Sequence, residues 1–274
     1  LLAQAWGRPG AMGADAVSSE ARFLDELAAA ATVAPLDEDI AGWHAKASPY
    51  APFRRANCVL PPLGSASDRD AFDRALDEVR TWYEGLGQRL IVQVSSADPA
   101  AEVLDAWLAA AGLAVEAPVH ILVSRRSIGP AADPCALDVR CGVDESWATA
   151  IGTLADGDDV HRRRAAAYGR MLGPLGSRAL GASARVADHT VGVGLGVVDR
   201  GWLGILGMAT SPEHRRQGIA SGLVRSLLVE AARQGATAAY LQVETDNAAA
   251  LACYESLGFE RHHDYHYRSE ADRG

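Results

Sequence analysis

Leu203-Gly204-Ile205-Leu206-Gly207-Met208-Ala209-Thr210-Ser211-Pro212-Glu213-His214-Arg215-Arg216-Gln217-Gly218-Ile219-Ala220 is the stretch whose reading decides the rest of the chain. Its first seven residues are an apolar run of the kind that forms a buried strand. Ser211-Pro212 stops the strand, because proline cannot donate to a sheet ladder. Beyond Gly218, Ala220, Leu223, Val224, Leu227, Leu228 and Ala231 recur at the spacing of one helix face. The order is therefore strand, basic glycine-containing turn, helix. The first turn of a helix leaves N–H groups unpaired and carries partial positive charge. A glycine lets an anion approach that backbone, and Arg215 and Arg216 add charge, so the turn is a candidate pyrophosphate cradle. Neither Gly-x-x-x-x-Gly-Lys-Ser/Thr nor Gly-x-Gly-x-x-Gly occurs at this position.

Pro212 with Arg215-Arg216-Gln217-Gly218-Ile219-Ala220 resembles the Arg/Gln-x-x-Gly-x-Gly/Ala signature of the GNAT superfamily of acyl-CoA-dependent N-acyltransferases. Leu241-Gln242-Val243, Asn247, Ala250 and Tyr254-Glu255-Ser256-Leu257-Gly258-Phe259 resemble its second block, in the right order. The resemblance covers residues from about 136 to 268 and implies acetyl-CoA as co-substrate. It assigns donor binding to the backbone of Met208, Ala209 and Thr210, to Arg215, Arg216, Gln217, Gly218, Ile219 and Ala220, and to Asn247. It also implies a bulge, for which Gly207 is suited, splaying the Leu203–Ala209 strand from its neighbour. Tyr254 becomes the acid that protonates the departing thiolate. Glu244, at a strand end, is the best carboxylate candidate for a base acting through water; His189 and the His262, His263, His266 group are weaker ones.

The whole composition sets limits on other readings. With 274 residues, 49% of them hydrophobic, the chain can bury sizeable cores in one large or two smaller domains. The balance of 26 Lys+Arg against 35 Asp+Glu argues against a general nucleic-acid or anionic-membrane binder. No apolar run reaches the ~18 residues that cross a bilayer, and no signal peptide is evident. Cys58, Cys135, Cys141 and Cys253 show no Cys-x-x-Cys pairing, so thiols in a reducing cytoplasm are expected and a metal site is not. His161-Arg162-Arg163-Arg164 reads as a solvated basic helix face or as a lure for an acidic acceptor.

Along the chain, residues 1–17 read as a poorly ordered leader and a helix is expected from Ser19. Short strands at Ile40–Ala47 and Ala56–Leu60 precede a strong helix through Phe72, Leu76, Val79 and Tyr83. A strand at Arg89–Val94 follows, then an Asp98-Pro99 cap, a helix to Gly112 and a strand at Val119–Val123. The Gly/Pro-rich stretch 127–134 is the clearest linker, with a domain boundary near Gly129.

There is an internal echo. Ile91-Val92-Gln93-Val94, a helix and Gly112 resemble Tyr240-Leu241-Gln242-Val243, a helix and Gly258. The first copy has Leu60-Pro61-Pro62-Leu63-Gly64 in place of the basic turn and Leu108 in place of the tyrosine. The reading is an α/β (α+β) protein of two GNAT-like domains, each a mixed, mostly antiparallel twisted sheet flanked by helices. Residues 18–129 form a degenerate domain that walls the acceptor cleft, and 130–274 form the catalytic one. The expected activity is transfer of an acetyl group from acetyl-CoA to the primary amine of a small molecule or peptide, in a ternary complex. A non-catalytic acyl-CoA sensor is the alternative, as is a longer-chain acyltransferase made roomy by Gly192, Gly194 and Gly196. Acceptor identity and oligomeric state are left open by the sequence.

Overall fold

The structure is a computed structural model, which describes residues 14–125, 137–141, 143, 145–154 and 159–271. In chain order the first half comprises α1 (Ala14–Ala31), β1 (Leu36–Ile40), β2 (Trp43–Ala47), β3 (Val59–Leu60), α2 (Arg69–Gly85), β4 (Ile91–Ser95), α3 (Ala101–Ala110) and β5 (Ala114–Ser124). The second comprises β6 (Leu137–Cys141), α4 (Glu145–Leu154), α5 (Asp159–Leu172), β7 (Ala179–Val186), β8 (His189–Asp199), β9 (Trp202–Thr210), α6 (Ile219–Arg233), β10 (Ala238–Glu244), α7 (Ala248–Ser256) and β11 (Glu260–Ser269). The expected boundary near Gly129 lies outside the described residues, as do residues 1–13.

Two expectations shift. The first helix begins at Ala14, not Ser19; the short Ala14-Asp15-Ala16-Val17 segment favours extending the helix over breaking it. The strand expected over 40–47 is a hairpin instead. Ala41 and Gly42 take φ of 51° and 81°, the two-residue turn whose twist suits paired strands. Asp39 Oδ1 accepts from Gly42 N–H at 2.8 Å and fixes it.

The described strands form one eleven-stranded sheet in the order β1-β2-β3-β4-β11-β5-β10-β9-β8-β7-β6. The two expected sheets are thus fused, and their central strands are exchanged. β11, from the second half, lies between β4 and β5 of the first, antiparallel to both. β5, from the first half, in turn pairs antiparallel with β10 of the second. Strand faces set the packing. Ala239, Leu241 and Val243 of β10 join the core under α6 and α7, whereas Tyr240 joins Tyr265 and Tyr267 of β11 in the core under α1.

The echo is carried by helix ends. α2 closes with Gly87 at φ 67° and a Gln88 N–H···O=C Tyr83 bond of 3.0 Å; α6 closes with Gly235 at φ 88° and Ala236 N–H···O=C Ala231 at 3.0 Å. α3 and α7 repeat this with Leu113 N–H bonded to Leu108 and Phe259 N–H bonded to Tyr254, each at 3.1 Å. Leu108 and Tyr254 therefore occupy matching positions. Leu108 is fully buried in the core of the first half.

Candidate active site

The expected splay is present in the geometry. β9 and β10 pair in parallel only as far as Ile205↔Leu241, while β9 runs on to Thr210. Between Val193↔Ala209 and Leu195↔Leu206 the β8–β9 register gains one residue on β9. That extra residue is a bulge with Gly207 at φ 59°, a conformation that a side chain would strain. Beyond it, the edge of β9 that faces β10 carries no strand. A cavity of about 420 Å³ opens there, and Met208, Ala209, Glu244, Asn247, Ala250 and Tyr254 are among the residues that line it.

The basic turn sits at the start of α6. Gly218 is the N-cap residue at φ 82°, and no side chain caps the helix. Arg216 takes φ 61°, uncommon for a residue with a side chain. Two left-handed residues so close to a helix start form a backbone geometry suited to an anion. A Cβ at Gly218 would meet nothing within 4 Å, so the space in front of this backbone is open. Arg215 donates from Nε to Thr210 O at 3.4 Å, and Gln217 from Nε2 to Glu213 O at 3.2 Å. Residues 215–220 and Thr210 do not line the cavity itself.

At the matching place in the first half, acidic side chains take up the backbone N–H groups. Asp68 caps α2, its side chain accepting from Ala71 N–H, where α6 has the bare Gly218. Both oxygens of the buried Asp98 accept from Gly64 N–H at 3.1 Å, and Oδ1 also accepts from Ala100 N–H at 2.8 Å. Asp98 does not cap the helix as expected: the N-cap is Ala100, and Asp98 is spent on the preceding turn.

Tyr254 is partly buried, its ring meeting Phe259 edge-on at 6.1 Å. No hydrogen bond engages its hydroxyl among the described residues. Burial pushes the phenol up to about 12. Asn247 caps α7, its Oδ1 accepting from Ala250 N–H at 3.1 Å. Glu244 is largely exposed, with Oε1 3.9 Å from Arg54 Nη1. The weaker base candidates are elsewhere. His262 and His263 pair with Glu20 and Asp25 of α1, His266 pairs with Asp105 of α3, and His189 opens β8. Of the His161–Arg164 side chains on α5, only the exposed Arg163 is described.

Gly192, Gly194 and Gly196 do not widen the cleft. A Cβ on them would meet Ile219 Cγ2 at 2.6 Å, Met208 Sδ at 2.6 Å and Leu203 Cδ1 at 2.8 Å. Leu223 or Leu227 of α6 lies next nearest in each case. They let α6 settle on β8, while Val193, Leu195 and Val197 of the same strand join the opposite core with Ile151 and Tyr168. This packing leaves no space at these glycines for a longer acyl chain.

The residues missing from the sequence reading come from the first half and from β11. Phe53, Arg54 and Arg55 reach the cavity from the loop after Pro52, and Tyr265 and Tyr267 from the central strand. Arg55 Nη1 donates to Gln242 Oε1 at 2.7 Å, and Tyr265 Oη donates to the same oxygen at 2.9 Å. The paired arginines after a proline turn were the available signal. Among the described residues no group of three or more metal-ligating side chains occurs. None of the described helices is long and apolar enough to cross a membrane.

Residues 18–268 match the family described as "Probable histone acetyltransferase Rv0428c C-terminal". The ribosomal protein bS18-alanine N-acetyltransferase of Escherichia coli K12 is 40% identical over 55 residues, which are 20% of this chain and 37% of that protein. Mycothiol acetyltransferase of Kocuria rhizophila is 39% identical over 66 residues, 24% of this chain and 22% of its own. The matched stretches thus span well under half the length of these curated relatives. Two solved structures share the fold across most of the chain. A GCN5-related N-acetyltransferase from Kribbella flavida superposes with a TM-score of 0.64 at 17% identity, covering 96% of this chain and 97% of its own. A tandem GNAT protein from the clavulanic acid biosynthesis pathway gives 0.64 at 12% identity, covering 90% and 87%.

Proposed function

The chain belongs to the GNAT superfamily of N-acetyltransferases, through the family matched over residues 18–268, and from that premise we propose that it moves an acetyl group from acetyl-CoA to a primary amine by direct attack. One observation carries this reading. The bulge at Gly207 ends the β9–β10 pairing and leaves a strand edge free beside Tyr254 and Glu244. Open backbone amides at Met208–Thr210 suit the amides of a pantetheine arm. The uncapped start of α6, with Arg215 and Arg216, suits a pyrophosphate. The first half, with Asp68 and Asp98 filling the equivalent positions, is the silent partner of one active centre.

In the reaction the amine nitrogen bonds to the thioester carbon, the carbon–sulfur bond breaks, and sulfur leaves as thiolate. Glu244, through water, takes a proton from the incoming ammonium. Tyr254 gives its phenolic proton to the sulfur, and the second proton that the amine nitrogen sheds as the amide forms restores the phenol. At about 12 that phenol is far above an ordinary thiol near 8.5, a gap of roughly 5 kcal/mol in water. The cleft narrows the gap, because burial also raises a thiol; Cys58, buried elsewhere, is pushed up to about 12. Thiol release from acetyl-CoA in the presence of an amine panel tests the reading. Release with no amine, or with none of them, defeats it.

A further inference from the structure

Charges in the cleft do not balance. Arg54 is answered by Glu116, whose Oε2 accepts from its Nη2 at 3.3 Å, and by Glu244 at 3.9 Å. Glu116 is shared with Arg89 at 3.0 Å. Arg55, its neighbour in sequence, has no carboxylate within ion-pair distance among the described residues. Its recorded bond is to the neutral amide of Gln242. The groups its charge meets most strongly are Tyr265, Tyr267, Tyr168 and Cys58. Phenols and thiols are neutral at physiological pH, the more so where burial pushes Tyr265 up to about 12. A guanidinium in a partly buried cleft with no counter-ion is costly to keep unless a ligand supplies one.

The remaining donors are placed for such a ligand. Gln242 Oε1 is occupied by Arg55 and Tyr265, and its Nε2 has no partner among the described residues. The loop that carries Arg55 is held rigid. Asn57 Nδ2 donates to Ala51 O at 2.7 Å and to Phe53 O at 2.9 Å, and its Oδ1 accepts from Ser48 N–H at 2.8 Å. Gln242 projects from β10 opposite to Leu241 and Val243, which pack under α6. Since the donor-binding turn belongs to α6, the Arg55–Gln242 pair stands on the other side of the slot, where an acceptor enters.

We infer that the acceptor is a small amine bearing its own carboxylate, bound by the Arg55 fork and the Gln242 amide. This rests on the acyl transfer proposed above and narrows its substrate class. The full chain is assayed with acetyl-CoA against L-α-amino acids and dipeptides, each paired with its C-terminal carboxamide. The free carboxylates are expected to be used with kcat/KM at least about tenfold higher, as for a charge-assisted hydrogen bond. Arg55→Gln is expected to erase that preference and Arg55→Lys to keep part of it, while acetyl-CoA still raises the melting temperature of both. Equal use of amide and carboxylate overturns the inference and leaves acyl transfer standing. So does a preference for succinyl-CoA over acetyl-CoA that Arg55→Gln abolishes, since the fork would then serve the donor. Acetyl-CoA binding with no transfer to any amine ends both.

Discussion

Arg55 and Gln242, 187 residues apart in the chain, meet at 2.7 Å in one wall of the cleft, joining a loop of the first half to β10, the strand that ends at Glu244. Neither half builds this wall alone. The contact gives the first half a part in the cleft, although Asp68 and Asp98 take up backbone N–H groups where the second half leaves the start of α6 uncapped.

Replacing Tyr254 with phenylalanine separates chemistry from packing. The ring contact with Phe259 stays and only the hydroxyl goes. Turnover is expected to fall about 100-fold, the usual contribution of a positioned acid, with the affinity for acetyl-CoA held within about twofold. Because burial keeps the phenol protonated up to about pH 12, its loss of a proton adds no falling limb to the pH–rate profile below about pH 10. Equal activity in the variant leaves Tyr254 as packing only.

Gly218→Asp places a carboxylate, at a positive φ, in front of the uncapped amides of α6. Acetyl-CoA should raise the melting temperature of the native chain and leave that of the variant unmoved, measured by thermal unfolding with and without the ligand. Absence of a shift in the native chain removes the donor assignment.

Gly204 and Gly194 separate rigid from yielding neighbours. A Cβ at Gly204 would lie 2.6 Å from the hydroxyl and 2.7 Å from Cζ of Tyr240, a buried ring that cannot fold away. At Gly194 the nearest atom is Met208 Sδ, on a flexible chain. Gly204→Ala is expected to cost about 1–3 kcal/mol by denaturant unfolding, and Gly194→Ala clearly less.

Acid sensitivity has a definite sign. Asp105 accepts from Arg268 at 2.7 Å through both oxygens and from His266 at 2.6 Å. The Arg268 guanidinium foremost holds its carboxyl below the ordinary range. The folded chain therefore binds fewer protons here than the unfolded one. The stabilisation is present above an unfolded value near 4 and is lost as pH falls through the lower folded value. Asp105→Asn should cost roughly 1 kcal/mol at pH 7, this pair being partly exposed. The gap between variant and native chain should close as pH falls below the unfolded value.

Local chemistry made part of this site legible in sequence. The bulge at Gly207 came from the family resemblance, whereas the Gly218 turn, the Asn247 cap and the Gly258 stop each depend on a few consecutive residues. The match of Leu108 with Tyr254 was visible for the same reason. Contacts that depend on distant chain were not. Nothing near Arg55 records that Gln242 will face it. The alternation in His263–Arg268 tells which residues share a face and not which strands flank them, so the exchange of β5 and β11 had no local trace. The three glycines of β8 misled because smallness alone does not say whether a helix or a ligand fills the space.

The exchange bears on how the chain comes to be folded. β4 and β5 are made early and lie in the same direction, two strands apart, with a gap between them that only β11 fills. The ion pair of Arg80 with Glu270, at the end of that gap, closes a span of 190 residues. Until β10 and β11 are made, one edge of β4 and both edges of β5 stand open, able to pair wrongly with each other or with another nascent chain. Closure of so long a loop is slow, and the cleft, lined in part by Tyr265 and Tyr267, is complete only once β11 has arrived.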